Sequence, residues 1–472
     1  MASSTLSNVI PGDRLIDRLS KALVEGSLPG EREGFGTTAR KGAAAFALTA
    51  LDVRKEGRNA VAMDTFADSH GRRRMRIAVV NPDMPFLVDS VAAVIAAHGL
   101  VIDRLLHPVL AVSRDPGGKL TALGKGDATE SLIYLETDRA DAKARAAIRD
   151  ELNRSLGDVR DAVADWPKMR EAMRNDAETL GDDEAKALLG WFADNHFTLL
   201  GGLRTDVVST ALGLAKRDAD ALLSEPARVA ALEWFRKGGA LLLVKSNRMS
   251  TVHRRVPLDL VIAPIRQGKK VTGLSIYAGL WTSAALSEAP EAVPVLRQRL
   301  AALQARLDFA PSSHSGKALA HAIASLPHDI AISISENALQ SLTLAAMSIA
   351  DRPRAAVEMV TAPLDRHLFA FVWLPRDELT TARRIAIAEM IGGPANAPLL
   401  SWSIDLGDGD TALIRYTFDL RQSGRVPDAA KINAQVQAMV RGWPDAVEAS
   451  LATIGDAGNA TRLALQIGRA HV

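Results

Sequence analysis

The chain has 472 residues, with 57 Lys and Arg against 55 Asp and Glu, 47% hydrophobic residues and no cysteine. At roughly 100–200 residues per domain, that length provides for about three domains with cores of their own. A formal charge of +2 carries no bulk attraction to nucleic acid or an anionic membrane, and the missing cysteines exclude disulfides, thiolate metal sites, iron–sulfur clusters and cysteine nucleophiles. The start, MASSTLSNVIPGDRL, lacks a basic segment followed by an apolar run, and no stretch approaches the 18 apolar residues of a membrane span. A cytoplasmic protein with no nucleic-acid or membrane partner is expected.

In chain order, Leu15, Ile16, Leu19 and Leu23 predict a short amphipathic helix over 13–25. A Gly- and Pro-containing linker follows at 27–36, then a second helix at 38–51. Met75-Arg-Ile-Ala-Val-Val80 reads as a strand, Asn81-Pro82-Asp83-Met84-Pro85 as a break, and Phe86 to His98 as a helix closed by Gly99. Asp83 is the expected N-cap, with Pro85 in the first turn. Two strands, 101–113 and 130–136, and a helix over 140–155 complete a strand, helix, strand, strand, helix order, that of a split βαβ, ferredoxin-like module.

A second unit begins near Asp182 with a helix over 184–195 and a short strand, Phe197–Leu200, ended by Gly201-Gly202. After a helix at 225–237 come strands at 240–246, 250–254, 258–266 and 271–281, the last two joined at Gln267-Gly268. Helices resume at 294–307, 316–326 and 336–350. This is an α+β, sensor-like layout. A hairpin of 355–361 with 368–374, a helix at 379–391, a hairpin of 399–406 with 412–420 across Gly407-Asp408-Gly409, and a helix at 429–441 repeat the general type of the first module.

Few residues carry a chemical signal. Gly34-Phe-Gly36-Thr-Thr-Ala39 approximates a dinucleotide fingerprint, but no strand precedes it and a linker is the expected reading. Ser315-Gly316-Lys317-Ala318 lacks the first glycine and the Mg²⁺-binding hydroxyl of a phosphate loop, and reads as a helix start. His314, His321 and His328 recur every seven residues, but with one close carboxylate, Asp329, they read as exposed or capping histidines. The basic run from Lys245 to Arg255 offers Arg248, His253 and Arg254 as contacts for an anion or an acidic neighbouring domain, or else protects an edge strand with positive charge. The Asn81–Phe86 break, with Asn81, Asp83, Pro85 and Phe86, leads from a strand into a helix N-terminus. It could receive a small carboxylate or serve as a plain capped turn.

The strings Asn81-Pro-Asp-Met-Pro-Phe-Leu-Val-Asp-Ser-Val91, His107-Pro-Val-Leu110, Trp191-Phe-Ala-Asp-Asn-His-Phe-Thr198, Ser250-Thr-Val-His-Arg254, Thr282-Ser-Ala-Ala285, Gly316-Lys-Ala-Leu319 and Leu374-Pro-Arg-Asp377 resemble, in order, the N-terminal region of the very large bacterial NAD-specific glutamate dehydrogenases. The resemblance implies an α+β multidomain chain in which two ACT, ferredoxin-like modules flank a PAS-like mixed sheet with helices. The expected division is a helical segment and linker (1–45), ACT-like module 1 (46–175), a PAS-like module (182–310), a helical connector (311–352), ACT-like module 2 (353–445) and a truncated linker (446–472). Ile467-Gly-Arg-Ala-His-Val472 in that last part reads as the product of adapter sequence. The resemblance further implies a regulatory and assembly role without catalytic, cofactor or metal residues in this stretch, NAD serving the parent enzyme. The implied partners are the parent's own C-terminal dehydrogenase region, further copies of the chain and an amino-acid effector. The alternative is a stand-alone ACT-containing amino-acid sensor acting on a partner protein. ACT modules that bind amino acids usually have Gly where this chain has Phe86, a departure that favours assembly over ligand binding.

Overall fold

A computed structural model describes residues 12–440, apart from 69–70, 127, 207–208, 408 and 423. The chain divides into two compact units. One contains Met1–Pro167, Leu212–Lys216 and Met249–Val256, and the other Lys168–Ala211, Arg217–Arg248 and Pro257–Val472. The 446–472 tail and Asp408 of the expected hairpin turn lie outside the described residues.

The first unit opens with α1 (Gly12–Ala22), α2 (Pro29–Arg32) and α3 (Thr37–Leu51). It continues through β1 (Ala60–Ala67), β2 (Arg73–Pro82), α4 (Leu87–Ala97), β3 (Ile102–Leu106), β4 (Val109–Arg114), β5 (Leu120–Leu123), β6 (Ala128–Thr137) and α5 (Ala142–Thr179). The sheet order is β1-β2-β6-β4-β5, with β3 also on β6. β6 runs antiparallel to β2 on one side and to β3 and β4 on the other. β2, α4 and β3/β4 thus form the expected split βαβ unit, with β6 between its two parallel strands. The fourth place is taken by β1, which the sequence reading did not contain. Alternation decides the two faces. Ala78, Val80, Leu132 and Tyr134 join Leu19, Leu23, Phe35 and Phe46 in one core, while Ile77, Val79, Ile133 and Leu135 are buried on the opposite side.

Three expectations fail here for physical reasons. The strand expected over 101–113 is broken at His107-Pro108, where proline cannot donate to the ladder. The helix expected to stop at 155 continues as α5 to Thr179, because Leu156, Val159, Met169 and Met173 extend its buried stripe and outweigh Pro167 inside it. Asp83 caps no helix and Pro85 is not in a first turn, since α4 starts at Leu87 behind Phe86.

The second unit begins with α6 (Asp183–Trp191), capped by Asp182, and a wide turn through Asn195 at φ 72° that ends the helix before the expected residue 195. β7 (Phe197–Arg204), β8 (Thr210–Gly213), α7 (Ala219–Leu222), α8 (Glu225–Arg236), β9 (Leu242–Met249), β10 (Pro257–Gln267) and β11 (Lys270–Trp281) follow. Their sheet order is β8-β7-β11-β10-β9, and β11 runs antiparallel to both β7 and β10. Gly201 and Gly202 do not end β7; they pair with Ala278 and Tyr277 of β11 inside the ladder, where the neighbouring strands override glycine's weak propensity. Residues 250–254 are a bent loop, not the expected strand.

Short α9 (Ser283–Ser287) leads to α10 (Leu296–Arg306), α11 (His314–Ala324), α12 (His328–Ser333) and α13 (Glu336–Asp351). Gly316 sits in the first turn of α11, where a Cβ would come within 2.1 Å of the Ala310 carbonyl oxygen, so its glycine serves packing. The chain then forms β12 (Ala356–Thr361), β13 (His367–Pro375), α14 (Thr381–Ala395), β14 (Leu399–Asp405), β15 (Thr411–Asp419) and α15 (Ala429–Val440). The order β12-β13-β15-β14 repeats β1-β2-β6-β4 strand for strand. Leu368, Ala370, Val372, Ile414, Tyr416 and Phe418 meet Ile387, Ile391, Ile432 and Val436 of α14 and α15 in its core.

Candidate functional site

The corner between β2 and α4 gathers most of the residues singled out by sequence. Asn81 is buried; its amide donates to the Pro82 carbonyl at 2.8 Å and its Oδ1 accepts from Arg160 at 2.9 Å. Asp83 is exposed, and its carboxylate accepts from the Ser131 hydroxyl at 2.6 Å. His107 Nε2 lies 3.0 Å from the same hydroxyl. Burial pulls the His107 imidazole below its ordinary value against the pull of Asp83, so a neutral ring donating through Nε2 satisfies the row. The order is carboxylate, hydroxyl, imidazole. A hydrolytic triad sets the imidazole between the other two, so this row orders the corner without activating Ser131.

Phe86 takes φ 71° as the residue before α4, with no side-chain cap. That left-handed conformation suits glycine, and a phenylalanine adopts it only where surrounding contacts hold it. One such contact is His253, whose ring centroid is 5.6 Å from that of Phe86 and which is itself at φ 64°. The His253 amide donates to Ser90 Oγ at 2.9 Å and its Nδ1 lies 2.7 Å from Asp89. Ser90 and Asp89 thereby engage the 249–256 segment through the first turn of α4. Along α5, Ser155 donates to the Thr251 carbonyl and Thr251 donates to Asp158, both at 2.6 Å. Arg255 bonds Glu151, which also meets His98 at 2.9 Å. Burial works to raise the Glu151 carboxyl, but the hydrogen bonds from Arg255 and His98 hold it below its ordinary value.

The space left between α4, α5 and this segment, lined in part by His253 and Arg254, is about 10 Å³, room for about one water. The 249–256 segment therefore packs closely against α4 and α5. Arg248 is not part of it; it lies on β9 of the second unit, its amide donating to Ser246 Oγ and its guanidinium to the Asp218 carbonyl.

Sequence reasoning missed two buried charge clusters. In the first unit, Glu130 accepts from Arg54 at 2.9 and 2.8 Å and from Arg114 at 2.7 Å through both carboxylate oxygens. Burial opposes ionisation of Glu130, and the two arginines outweigh it and hold the carboxyl low. In the second unit, Lys245 Nζ bridges Asp259 at 2.6 Å and Asp329 at 2.5 Å. Burial acts to lower the lysine, but the two carboxylates raise it above its ordinary value. The partners are 76 positions apart for Arg54 and Glu130, so no local spacing announces them. His314 and His321 are exposed as expected, but His328 is buried, with Nδ1 3.1 Å from the Ala285 carbonyl oxygen. Its place at the start of α12 turns it into the core. Gly34 and Gly36 flank buried Phe35 in the turn before α3, preceded by a helix rather than a strand.

Among the described residues no group of three or more His, Asp or Glu is placed to hold a metal ion. No helix among them is long and apolar enough to cross a membrane.

Fold and corner together define a multidomain α+β chain with two sheets of one ACT-type strand order and a further five-stranded sheet. Comparison with known proteins narrows this. Three family models match: glutamate dehydrogenase ACT1 domain over residues 26–152, helical motif 1 over 293–352, and ACT2 domain over 358–444. The NAD-specific glutamate dehydrogenase of Pseudomonas aeruginosa is 28% identical over 413 residues, covering 80% of this chain. Those of Halomonas elongata and Mycobacterium tuberculosis are 27% and 22% identical and cover 80% and 79%. The chain belongs to the NAD-specific glutamate dehydrogenase family and corresponds to its N-terminal region. It spans about a quarter of the length of these curated relatives, 26% of the first two.

Proposed function

We propose that this chain is the N-terminal regulatory and assembly region of a large NAD-dependent glutamate dehydrogenase, with catalysis carried by the rest of the parent protein. The parent reaction is the oxidative deamination of L-glutamate with NAD⁺ and water to 2-oxoglutarate, ammonium and NADH. On this reading NAD serves the parent, the protein works in the cytoplasm, and the partners are the dehydrogenase region and further copies of the chain. The finer division into ACT-like modules at 46–175 and 353–445, a PAS-like module at 182–310 and a helical connector at 311–352 belongs to the same proposal.

The observation that carries it is coverage: matches extend over 80% of this chain but 26% of the relatives. The β2–α4 corner supports assembly over effector binding at that point. Phe86 stands in the glycine-preferring conformation, and its ring lies against His253 of the 249–256 segment. In this view Asn81, Asp83, Pro85 and Phe86 shape an interface, His253 and Arg254 belong to its clamp, and Arg248 serves a domain contact.

Purified protein of residues 1–472, incubated with L-glutamate and NAD⁺, is expected to form no NADH detectable by absorbance. Measurable turnover would falsify the proposal. Deleting the same region from the parent enzyme is expected to change its oligomeric state or its response to effectors while the dehydrogenase chemistry itself persists.

A further inference from the structure

Within the second unit, an open cleft of about 500 Å³ lies where α6, α8, β9, α10, the end of α12 and the β12–β13 turn meet, a volume in the range of small-molecule sites. Its walls are mainly apolar, with Trp234, Leu241, Ile332 and Leu364 among them, and two charged side chains, Arg299 and Asp365, reach its lining.

Arg299 is the unusual member. Its Nη1 donates to the Ala331 and Ile334 carbonyls at 2.9 and 2.6 Å, which closes the C-terminal end of α12. No carboxylate among the described residues forms an ion pair with it. Burial pulls the guanidinium below its ordinary value, with Glu336 as the opposing charge. A largely buried cation held only by carbonyls is costly, and an anion reaching the cleft would offset that cost. Asp365 lines the same cleft, and no ion pair joins it to Arg299 among the described residues. Backbone strain gathers here as well. Val295, Leu364 and Asp365, at φ 66°, 61° and 51°, all line the cleft, and β-branched Val295 in particular holds such a value only under constraint, here the hydrogen bond its backbone N–H donates to the Glu184 carboxylate at 2.7 Å.

We propose that this cleft binds a small carboxylate with an apolar body, the carboxylate on Arg299 and the body against Trp234 and Leu241. Asp365 is placed to select ligands that also carry an ammonium group. The inference stands apart from the β2–α4 corner and does not depend on the identity of the parent enzyme.

Isothermal titration calorimetry on the 472-residue chain tests it, with 4-methylpentanoate and its 2-amino counterpart leucine as probes and chloride as the control for plain anion binding. Saturable binding of at least one probe is expected, weakened about tenfold or more by Arg299→Gln. Leu241→Trp, which fills the cleft without touching Arg299, is expected to abolish the same signal, and it carries the test if Arg299→Gln does not fold. Asp365→Asn separates the two probes: loss of leucine binding alone assigns the ammonium to Asp365, and equal binding of both assigns recognition to Arg299 alone. Absence of saturable heat with either probe at millimolar concentration overturns the proposal, as does binding that survives Leu241→Trp.

Discussion

The two ACT-type modules share one strand order and differ in what that order is made to hold. In each, a proline ends the second strand, Pro82 in β2 and Pro375 in β13, and lies opposite the start of the last strand, Glu130 in β6 and Thr411 in β15. One step inward, buried Asn81 faces Ser131 in the first module, where Leu374 faces Ala412 in the second. The first module's corner is thus polar, tied to Arg160, Arg54 and Arg114, and the second's is apolar. The helices that follow start accordingly. α14 has an ordinary N-cap, Thr380, whose hydroxyl accepts from the Arg383 amide, whereas α4 follows a left-handed Phe86 held against His253. At the far end of the same strand pair both modules are polar and differ in burial. Arg74 meets Asp138 at 2.6 Å near the surface, and the matching His367 lies fully buried opposite Asp419. Topology is set by the apolar alternation common to both modules, and the few polar positions at the strand ends are free to serve different neighbours.

The largest effect is expected at Glu130. Glu130→Ala strands Arg54 and Arg114 beside an empty position, at a cost of about 3–5 kcal/mol. Thr411→Ala at the matching place in the second module should cost under about 1 kcal/mol. Urea midpoints of the two variants measure the contrast, and equal shifts would break the comparison.

Next comes a pH effect centred on His367 of the second module. Burial, with Arg366 adding to it, pushes His367 down to about 3 from an ordinary 6.5. Between those values the unfolded chain binds a proton that the folded chain refuses. Stability from this group is therefore complete above pH 6.5 and falls as pH drops toward 3, with a slope of up to about 1.4 kcal/mol per unit. His107 and His328 are lowered in the same direction, so the measurement is the loss of slope in His367→Gln between pH 6.5 and 5. An unchanged slope would remove His367 from the account.

Thr380→Ala removes the α14 cap and should cost about 1 kcal/mol. The smallest effect is expected for Phe86→Gly, where relief of the left-handed backbone offsets the lost ring contact to within about 1 kcal/mol, whereas Phe86→Ala loses the contact without that relief. If glycine were as damaging as alanine, the conformation of Phe86 would not be strained as described.

Legibility in the sequence followed distance along the chain. The β2, α4 and β13 elements, the α10, α11 and α13 helices and the two strands of the last hairpin are readable because apolar periodicity is local, whereas short α12 is not. Strand β1 was not, since Ala60–Ala67 is half-buried along most of its length and carries no clean alternation. Asp83, Phe86 and His253 were all noticed, but as two separate features. Their union depends on residues 163 and 164 positions apart, the Ser90–His253 and Asp89–His253 contacts. The Arg299 cleft was absent from the sequence reading altogether, because its walls come from six elements and its cation lies on an otherwise ordinary helix.

By itself the sequence determined the absence of cysteine chemistry, the α+β class, the repeat of one module type and, through dispersed matching segments, the family. These rest on composition, periodicity and order, which are properties of the chain alone. Only the tertiary structure decided that α4 begins at Leu87 behind a left-handed phenylalanine, that residues 250–254 bend against α4 and α5 instead of forming a strand, and that Arg299 has no ion-paired carboxylate among the described residues. Each of these is a pairing between distant residues, and the free energy of such a pairing depends on burial and geometry that no local pattern encodes.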